Sequence, residues 1–191
     1  KPFALEFSKK IVRAKIHNQI VVLDRYGRSR QMNVQEATQN MKILERKVFT
    51  CTSIDQIMGY EGAAARYYFS TLGRLVESDF RFEKRSRRPP KDAFNSMLSL
   101  GYSMLMNEIY GKLENRGLNP YFGFMHQDRE KHPTLASDLM EEWRAVIVDA
   151  VVMNLINGHE IKIEQFNYDT YGNGVFLNRD AMKIFINKME K

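Results

Sequence analysis

The chain has a single cysteine, Cys51, in 191 residues. That excludes a disulfide framework and a thiolate zinc site, and it fits a reducing compartment. No apolar run is longer than a few residues, which predicts neither a membrane span nor a secretory leader. No Ser-His-Asp or Cys-His arrangement and no glycine-rich nucleotide loop is present in the pattern, so covalent nucleophilic catalysis and a P-loop are set aside. There is no internal repeat, low-complexity tract or clear linker. The chain also opens at Lys1 without a methionine, which reads as a fragment of something longer. What remains, 43% hydrophobic and 27% charged, reads as one soluble domain long enough to bury a real core.

The net charge of +6 is concentrated in two places. Residues 1–30 carry eight Lys/Arg against two acids, and residues 81–91 carry six against one. The remainder is net acidic. Such clustering points to a polyanionic partner as much as to a solvated face.

Along the chain the pattern is mainly helical. Residues 3–7 read as a short strand, with Ser8 as a cap before Lys9 to Leu23, whose Ile and Val content leaves helix against strand open. Tyr26 to Ser29 read as a turn. Asn33 caps a helix with Val34, Ala37, Met41, Leu44 and Val48 on one stripe. Ser53 opens another, with Gln56 in capping-box spacing and a stripe of Ile54, Ile57, Met58, Ala64, Ala65 and Tyr68. Glu61 sits inside that stripe, where a carboxylate is costly to bury unless a cation or several donors satisfy it. The bland reading is an ion pair with an arginine; the chemical one is an inward-facing metal ligand.

Gly73 weakens the end of this helix. The following Arg81-Phe82-Glu83-Lys84-Arg85-Ser86-Arg87-Arg88-Pro89-Pro90 cannot make a regular helix, and its arginine forks suit phosphate oxygens, with Phe80 and Phe82 packing beneath or stacking. Asp92 caps a long helix carrying Met97, Gly101, Met104, Leu105 and Glu108, which Gly117 stops. After Asn157-Gly158 come a short alternating segment (Ile161, Ile163, Phe166), a turn at Tyr171 to Gly174, and a last helix capped by Asn178 with Met182, Ile184, Phe185 and Met189.

The stretch from Tyr121 to Arg144 organises the rest. His126 stands at a loop or strand end after an aromatic-rich approach. A charged connection follows, and beyond Thr134 the residues Leu135, Leu139, Trp143, Val146 and Ala150 recur at helical spacing. Asp138 and Glu141, three apart, share one face away from Leu139 and Trp143. A histidine and carboxylates around one turn are the donor chemistry of a divalent metal site. His132 and His159 read as surface or loop histidines.

Four motifs resemble those of the CRISPR-associated adaptation integrase family, in the same order and spacing. They are Gly59-Tyr60-Glu61-Gly62-Ala63-Ala64-Ala65-Arg66-Tyr67-Tyr68-Phe69; Arg87-Arg88-Pro89-Pro90-x-Asp92-x-x-Asn95; Leu118-x-Pro120-Tyr121-x-Gly123-Phe124-x-His126; and Leu135-Ala136-x-Asp138-Leu139-Met140-Glu141-Glu142-x-Arg144. The resemblance covers nearly the whole chain. It implies a mainly α catalytic lobe with at most a few short strands, residues 1–191, in which residues 1–30 connect from a missing β-rich N-terminal lobe.

It further implies magnesium or manganese as cofactor, held by Glu61, His126 and Glu141, with Asp138 beside them as a supporting or alternative ligand. DNA contacts fall to Arg81, Lys84, Arg85, Arg87, Arg88 and Arg144. The implied partners are double-stranded DNA (the captured prespacer and the CRISPR repeat), the small ferredoxin-like second-numbered CRISPR-associated protein, and a second copy in a full-length homodimer, all in the prokaryotic cytoplasm. The implied reaction joins 3′-hydroxyl ends to repeat borders. A divalent ion suits that in-line phosphoryl transfer, which needs no nucleophile from the protein. The contrasting possibility is a catalytically silent helical DNA-binding module, with Glu61 in an ion pair and His126 packed structurally.

Overall fold

The computed structural model describes residues 2–126, 132–169 and 172–190. Helix α1 spans Pro2–Ser29. Its buried positions Val12, Lys15, Ile16, Gln19, Leu23 and Tyr26 recur every three or four residues, which settles the Lys9 to Leu23 segment as helix. Three local expectations fail here for one reason: the helix is longer at both ends. Residues 3–7 are its first turns rather than a strand, and Phe3 and Phe7 stack at 5.8 Å on its surface. Ser8 lies inside it, its Oγ donating to the Ala4 carbonyl at 2.8 Å, and so caps nothing. Tyr26 to Ser29 form the last helical turn, and the chain reverses just beyond, at Gln31 with φ 53°. Pro2–Ser29, within the stretch expected as a connection, is thus a core helix.

Helix α2 (Gln35–Phe49) buries Ala37, Met41 and Val48 as the stripe predicts. The Asn33 side chain accepts from Gln35 N–H at 2.9 Å at its start. Helix α3 (Ile54–Leu75) is capped by Ser53 accepting from Gln56 N–H. Gln56 reaches back to Thr52 N–H, one residue before the partner a capping box uses. Gly73 is internal to α3, and a Cβ there would stand 2.2 Å from the Phe82 carbonyl oxygen. The glycine lets the basic loop cross the helix.

Helix α4 (Ala93–Glu114) starts at the Asp92 cap. It ends in a left-handed Gly117 (φ 70°), with Leu118 N–H returning to Leu113 O at 3.0 Å. Glu108 is exposed on α4 and pairs with Lys112. Strands β1 (Phe166–Tyr168) and β2 (Val175–Leu177) form an antiparallel pair, Phe166 opposite Leu177. Of the turn expected at Tyr171 to Gly174, Tyr171 lies outside the described residues; Gly172 has φ 67°. A last helix, Arg179–Met189, is capped by Asn178.

The largest correction concerns the helix after Thr134. It is three pieces: α5 (Thr134–Met140), a π-helical segment (Arg144–Asp149) and α6 (Ala150–Asn157). The last helix is therefore α7. The apolar stripe read from the sequence is not the inner face. Leu135, Leu139 and Val146 are half-buried and Trp143 is 46% exposed; of that stripe only Ala150 is buried. The inner face carries Ala136, Ser137, Asp138, Met140, Glu141, Ala145, Val148 and Asp149. The acids lie away from Leu139 and Trp143, as spaced, yet that direction is inward. Helices α1 and α4 both pack on this composite rod, while α1, α2 and α3 pack on one another. The fold is mainly α with one two-stranded sheet among the described residues. No described helix is long and apolar enough to cross a membrane.

Candidate metal centre

Glu61 projects from the middle of α3 and Glu141 follows the end of α5. Both meet the same cation, the ammonium of Lys15 from α1. Lys15 Nζ donates to Glu61 Oε1 and, at 2.5 Å, to Glu141 Oε2. Lys15 is only 8% exposed and Glu141 4%. Burial works against the charge on Lys15, but Glu141 and then Glu61 outweigh it and hold its pKa above the ordinary value. Burial likewise opposes ionisation of Glu141, yet Lys15 and then Arg144 bring its carboxyl down to about 2. Arg144 Nη2 reaches the other oxygen, Glu141 Oε1, at 3.0 Å. The ion pair weighed for Glu61 therefore exists, with a lysine where an arginine was expected.

His126 is positioned by Asp138, whose side chain is fully buried. Asp138 Oδ2 accepts from the N–H groups of Phe124 (2.5 Å) and Met125 (2.9 Å). Its Oδ1 accepts from His126 N–H at 3.1 Å and lies 2.6 Å from His126 Nδ1. The loop is pinned from other sides too. Thr134 Oγ1 donates to Tyr121 O and accepts from Gly123 N–H, and Phe124 packs edge-on against Phe3 and Phe7 of α1. A Cβ on Gly123 would meet Thr134 and Asp138 at 2.8 and 2.9 Å, so this approach needs glycine. With Nδ1 held by a carboxylate, Nε2 is the ring nitrogen left for a ligand, as in carboxylate–histidine–metal arrangements. Both Asp138 oxygens are already taken by the loop.

A third buried acid lies close to these ion pairs. Asp149, in the π-helical segment, accepts from Tyr68 Oη (2.7 Å) and Tyr102 Oη (2.6 Å). Burial pushes its carboxyl up to about 6, against the opposing pull of the two hydroxyls, Arg144 and Arg85. Burial first, and Asp149 second, push both tyrosines well above their ordinary value. Arg144 lies over the Tyr102 ring at 4.7 Å and Arg85 at 5.4 Å, so one aromatic ring links the acid site to the basic loop.

That loop is anchored by Asn95, fully buried on α4. Asn95 Nδ2 donates to Lys84 O and to Asp92 Oδ2, and its Oδ1 accepts from Ser86 N–H and Arg85 Nη1. This is why Asp92 and Asn95 sit three apart after the double proline. Among the expected DNA contacts the residues divide. Arg85 is half-buried and bonded to Asn95 and Ser99, while Arg81, Lys84, Arg87 and Arg88 are exposed. Arg87, Arg88, Ser99, Ser103, Asn107 and Arg144 line a cleft of about 410 Å³. Phe80 and Phe82 are buried beneath the loop, with Phe82 stacked on Phe94 at 4.4 Å. Of the two histidines read as surface or loop residues, His159 is exposed, whereas His132 is half-buried with Nε2 2.9 Å from Ser137 Oγ.

The donor types suit a hard divalent cation: two carboxylates converge on one positive charge, and His126 keeps a ring nitrogen that Asp138 does not hold. As the side chains stand, no three His, Cys, Asp or Glu groups among the described residues could hold one ion together. Lys15 fills the place between the acids. Sequence reasoning passed over Lys15, although it occupies a core position of an apolar helix just as Glu61 does. The signal was hidden because the helix itself was undecided. Tyr68 counted only as a member of an apolar stripe, and Tyr102 and Asp149 carried no motif that singles them out.

A family model described as CRISPR associated protein Cas1 matches residues 1–191. The CRISPR-associated endonuclease Cas1 of Mycobacterium tuberculosis strain H37Rv is 44% identical over 181 residues, covering 95% of this chain and 53% of that protein. Among solved structures, the chain superposes on a Cas6-RT-Cas1–Cas2 complex with a TM-score of 0.91 and 34% identity, covering 100% of this chain and 21% of that one. It superposes on a casposase bound to integration product with a TM-score of 0.88 and 28% identity, covering 100% of this chain and 53% of that one.

Proposed function

The chain belongs to the Cas1 family of CRISPR-associated proteins, and from that premise we propose that Glu61, Glu141 and His126 form the metal centre of a DNA endonuclease and integrase. In this reading the protein inserts new spacers into a CRISPR array during antiviral adaptation. The observation that carries it is convergence. Glu61 and Glu141 come from elements far apart in sequence, yet both carboxylates meet on one cationic centre. The solved casposase relative bound to integration product supports the same reaction class.

Strand transfer forms a bond between a 3′-oxygen and a phosphodiester phosphorus and breaks the bond to the leaving 3′-oxygen. A bound magnesium or manganese ion supplies polarisation of the phosphoryl oxygen and offsets the charge that develops there. Glu61, Glu141 and the Nε2 of His126 would hold it. Asp138 fixes the ring so that Nε2 is presented, and Arg144 holds the second oxygen of Glu141 while lining the adjoining cleft. Arg87 and Arg88 line the same cleft with exposed guanidinium groups fit for backbone phosphates. The chain spans about half the length of the curated relative described above. The remaining parts of the reading concern the whole protein: a double-stranded prespacer and repeat, a Cas2-type partner, a homodimer and the prokaryotic cytoplasm.

One observation favours the contrasting reading of a silent DNA-binding module: Lys15 already neutralises the acids. A strand-transfer assay with the full-length protein, its Cas2-type partner and manganese separates the two. Glu61→Gln and His126→Ala are expected to lower turnover by about 100-fold or more while DNA binding persists. DNA binding with no strand transfer by the unaltered protein would support the silent module.

A further inference from the structure

The Lys15 ammonium is a chain-supplied cation at the point where the two carboxylates of the candidate centre converge. It reaches Glu61 Oε1 and Glu141 Oε2 together, is almost wholly buried, and is carried by α1, which is locked to the site by other bonds. Asn18, one turn along, donates to the Glu142 carbonyl at 2.7 Å, and Tyr26 Oη reaches Ala150 O and Asn154 Oδ1 at 3.1 and 2.9 Å. The backbone bearing Lys15 is thereby held in place, while the side chain has four flexible methylenes above it. A divalent ion shared by Glu61 and Glu141 would need the same oxygens, and two cations cannot share them at hydrogen-bond distance without strong repulsion.

We propose that Lys15 is the resident cation of this site, an intramolecular competitor that a divalent ion displaces from Glu61 and Glu141 when it binds. The inference rests on the metal-centre reading given above and adds a residue to it. In the unliganded protein Lys15 keeps two like-charged carboxylates together in a buried place, which otherwise repel. Loading the site exchanges one bridging cation for another and leaves the two acids where they are. Displacement lowers the apparent metal affinity by the fraction of molecules in which Lys15 has already swung away.

The test is manganese binding to the full-length protein, read by the loss of the free-ion electron paramagnetic resonance signal, with no DNA present. Lys15→Gln keeps a hydrogen-bonding side chain and removes the charge. It is expected to tighten manganese binding by about tenfold or more, because the competing state is gone. Lys10→Gln, exposed on the same helix, is expected to leave it unchanged. Thermal melts keep the comparison sound if the variant is weakened: manganese should raise the melting temperature of Lys15→Gln by more than it raises that of the unaltered protein. Binding to the unaltered protein with equal or weaker affinity in Lys15→Gln, or an equal tightening in Lys10→Gln, overturns the competitor role and leaves the metal centre standing. No manganese binding to either protein overturns both.

Discussion

At the residue scale the buried groups separate into those with charge partners and one without enough of them. Glu141 is balanced by Lys15 and Arg144, and its pKa falls to about 2. Asp149 has hydroxyl donors in contact but no cation, and its pKa rises from 3.8 to about 6. The sign of the pH dependence follows. A folded-state pKa above the unfolded one contributes stability that is fully present below about pH 3.8 and lost as pH rises through 6. At neutral pH the ionised Asp149 therefore costs on the order of 3 kcal/mol. Asp149→Asn keeps one acceptor and one donor for the two tyrosines, so its stability relative to the unaltered protein should grow between pH 4.5 and 7.5. Urea denaturation at both pH values measures this, and Glu141 stays ionised throughout the interval. A constant difference between the two proteins would show that Asp149 is not protonated preferentially in the fold.

The same scale shows what the sequence discloses about single side chains. Glu61 stood out because a carboxylate in an apolar stripe demands a partner, and it has one. Asp138 was visible as an acid beside a histidine, but its four contacts to the loop at 124–126 were not. Those depend on a reversal of the chain that no spacing rule encodes.

At the element scale, most caps were legible, Ser8 inside α1 being the exception, and faces were not always so. Ser53, Asp92 and Asn178 each accept a backbone N–H where the sequence placed them, because a short polar side chain before an apolar run has a local cause. The rod after Thr134 failed for a tertiary reason. Its inner face carries Asp138, Glu141 and Asp149, so hydrophobicity pointed to the wrong side, and the π-helical turns at Arg144–Asp149 broke the 3.6-residue period. The basic loop shows a third case. Its composition announced phosphate contacts, but Arg85 bonds to α4 through Asn95 and Ser99. If DNA runs along the cleft, Arg87→Ala and Arg88→Ala should each flatten the salt dependence of binding by about one unit of slope, alike on all sequences. Arg85→Ala should instead lower thermal stability. Titrations of duplex DNA across a salt series distinguish them, and an unchanged slope in both exposed variants would remove the loop from the DNA path.

At the scale of the whole molecule, the two basic segments have different fates. In the segment 81–91 the exposed Arg87 and Arg88 line the cleft, whereas α1 turns Lys15 inward and packs against α2, α3 and the π-helical segment. A mainly helical architecture was readable from periodicity, and the family from four motifs in order. That α1 would supply the cation between the two acids was not readable, because it requires three distant elements to meet. This meeting place is the proposed metal centre. Anomalous diffraction from manganese-soaked crystals of the full-length protein tests it most directly. A single peak bonded to Glu61, Glu141 and His126 Nε2 is expected, with the Lys15 ammonium moved off both carboxylates. Lys15 still bridging Glu61 and Glu141, with no peak between them at saturating manganese, would contradict it.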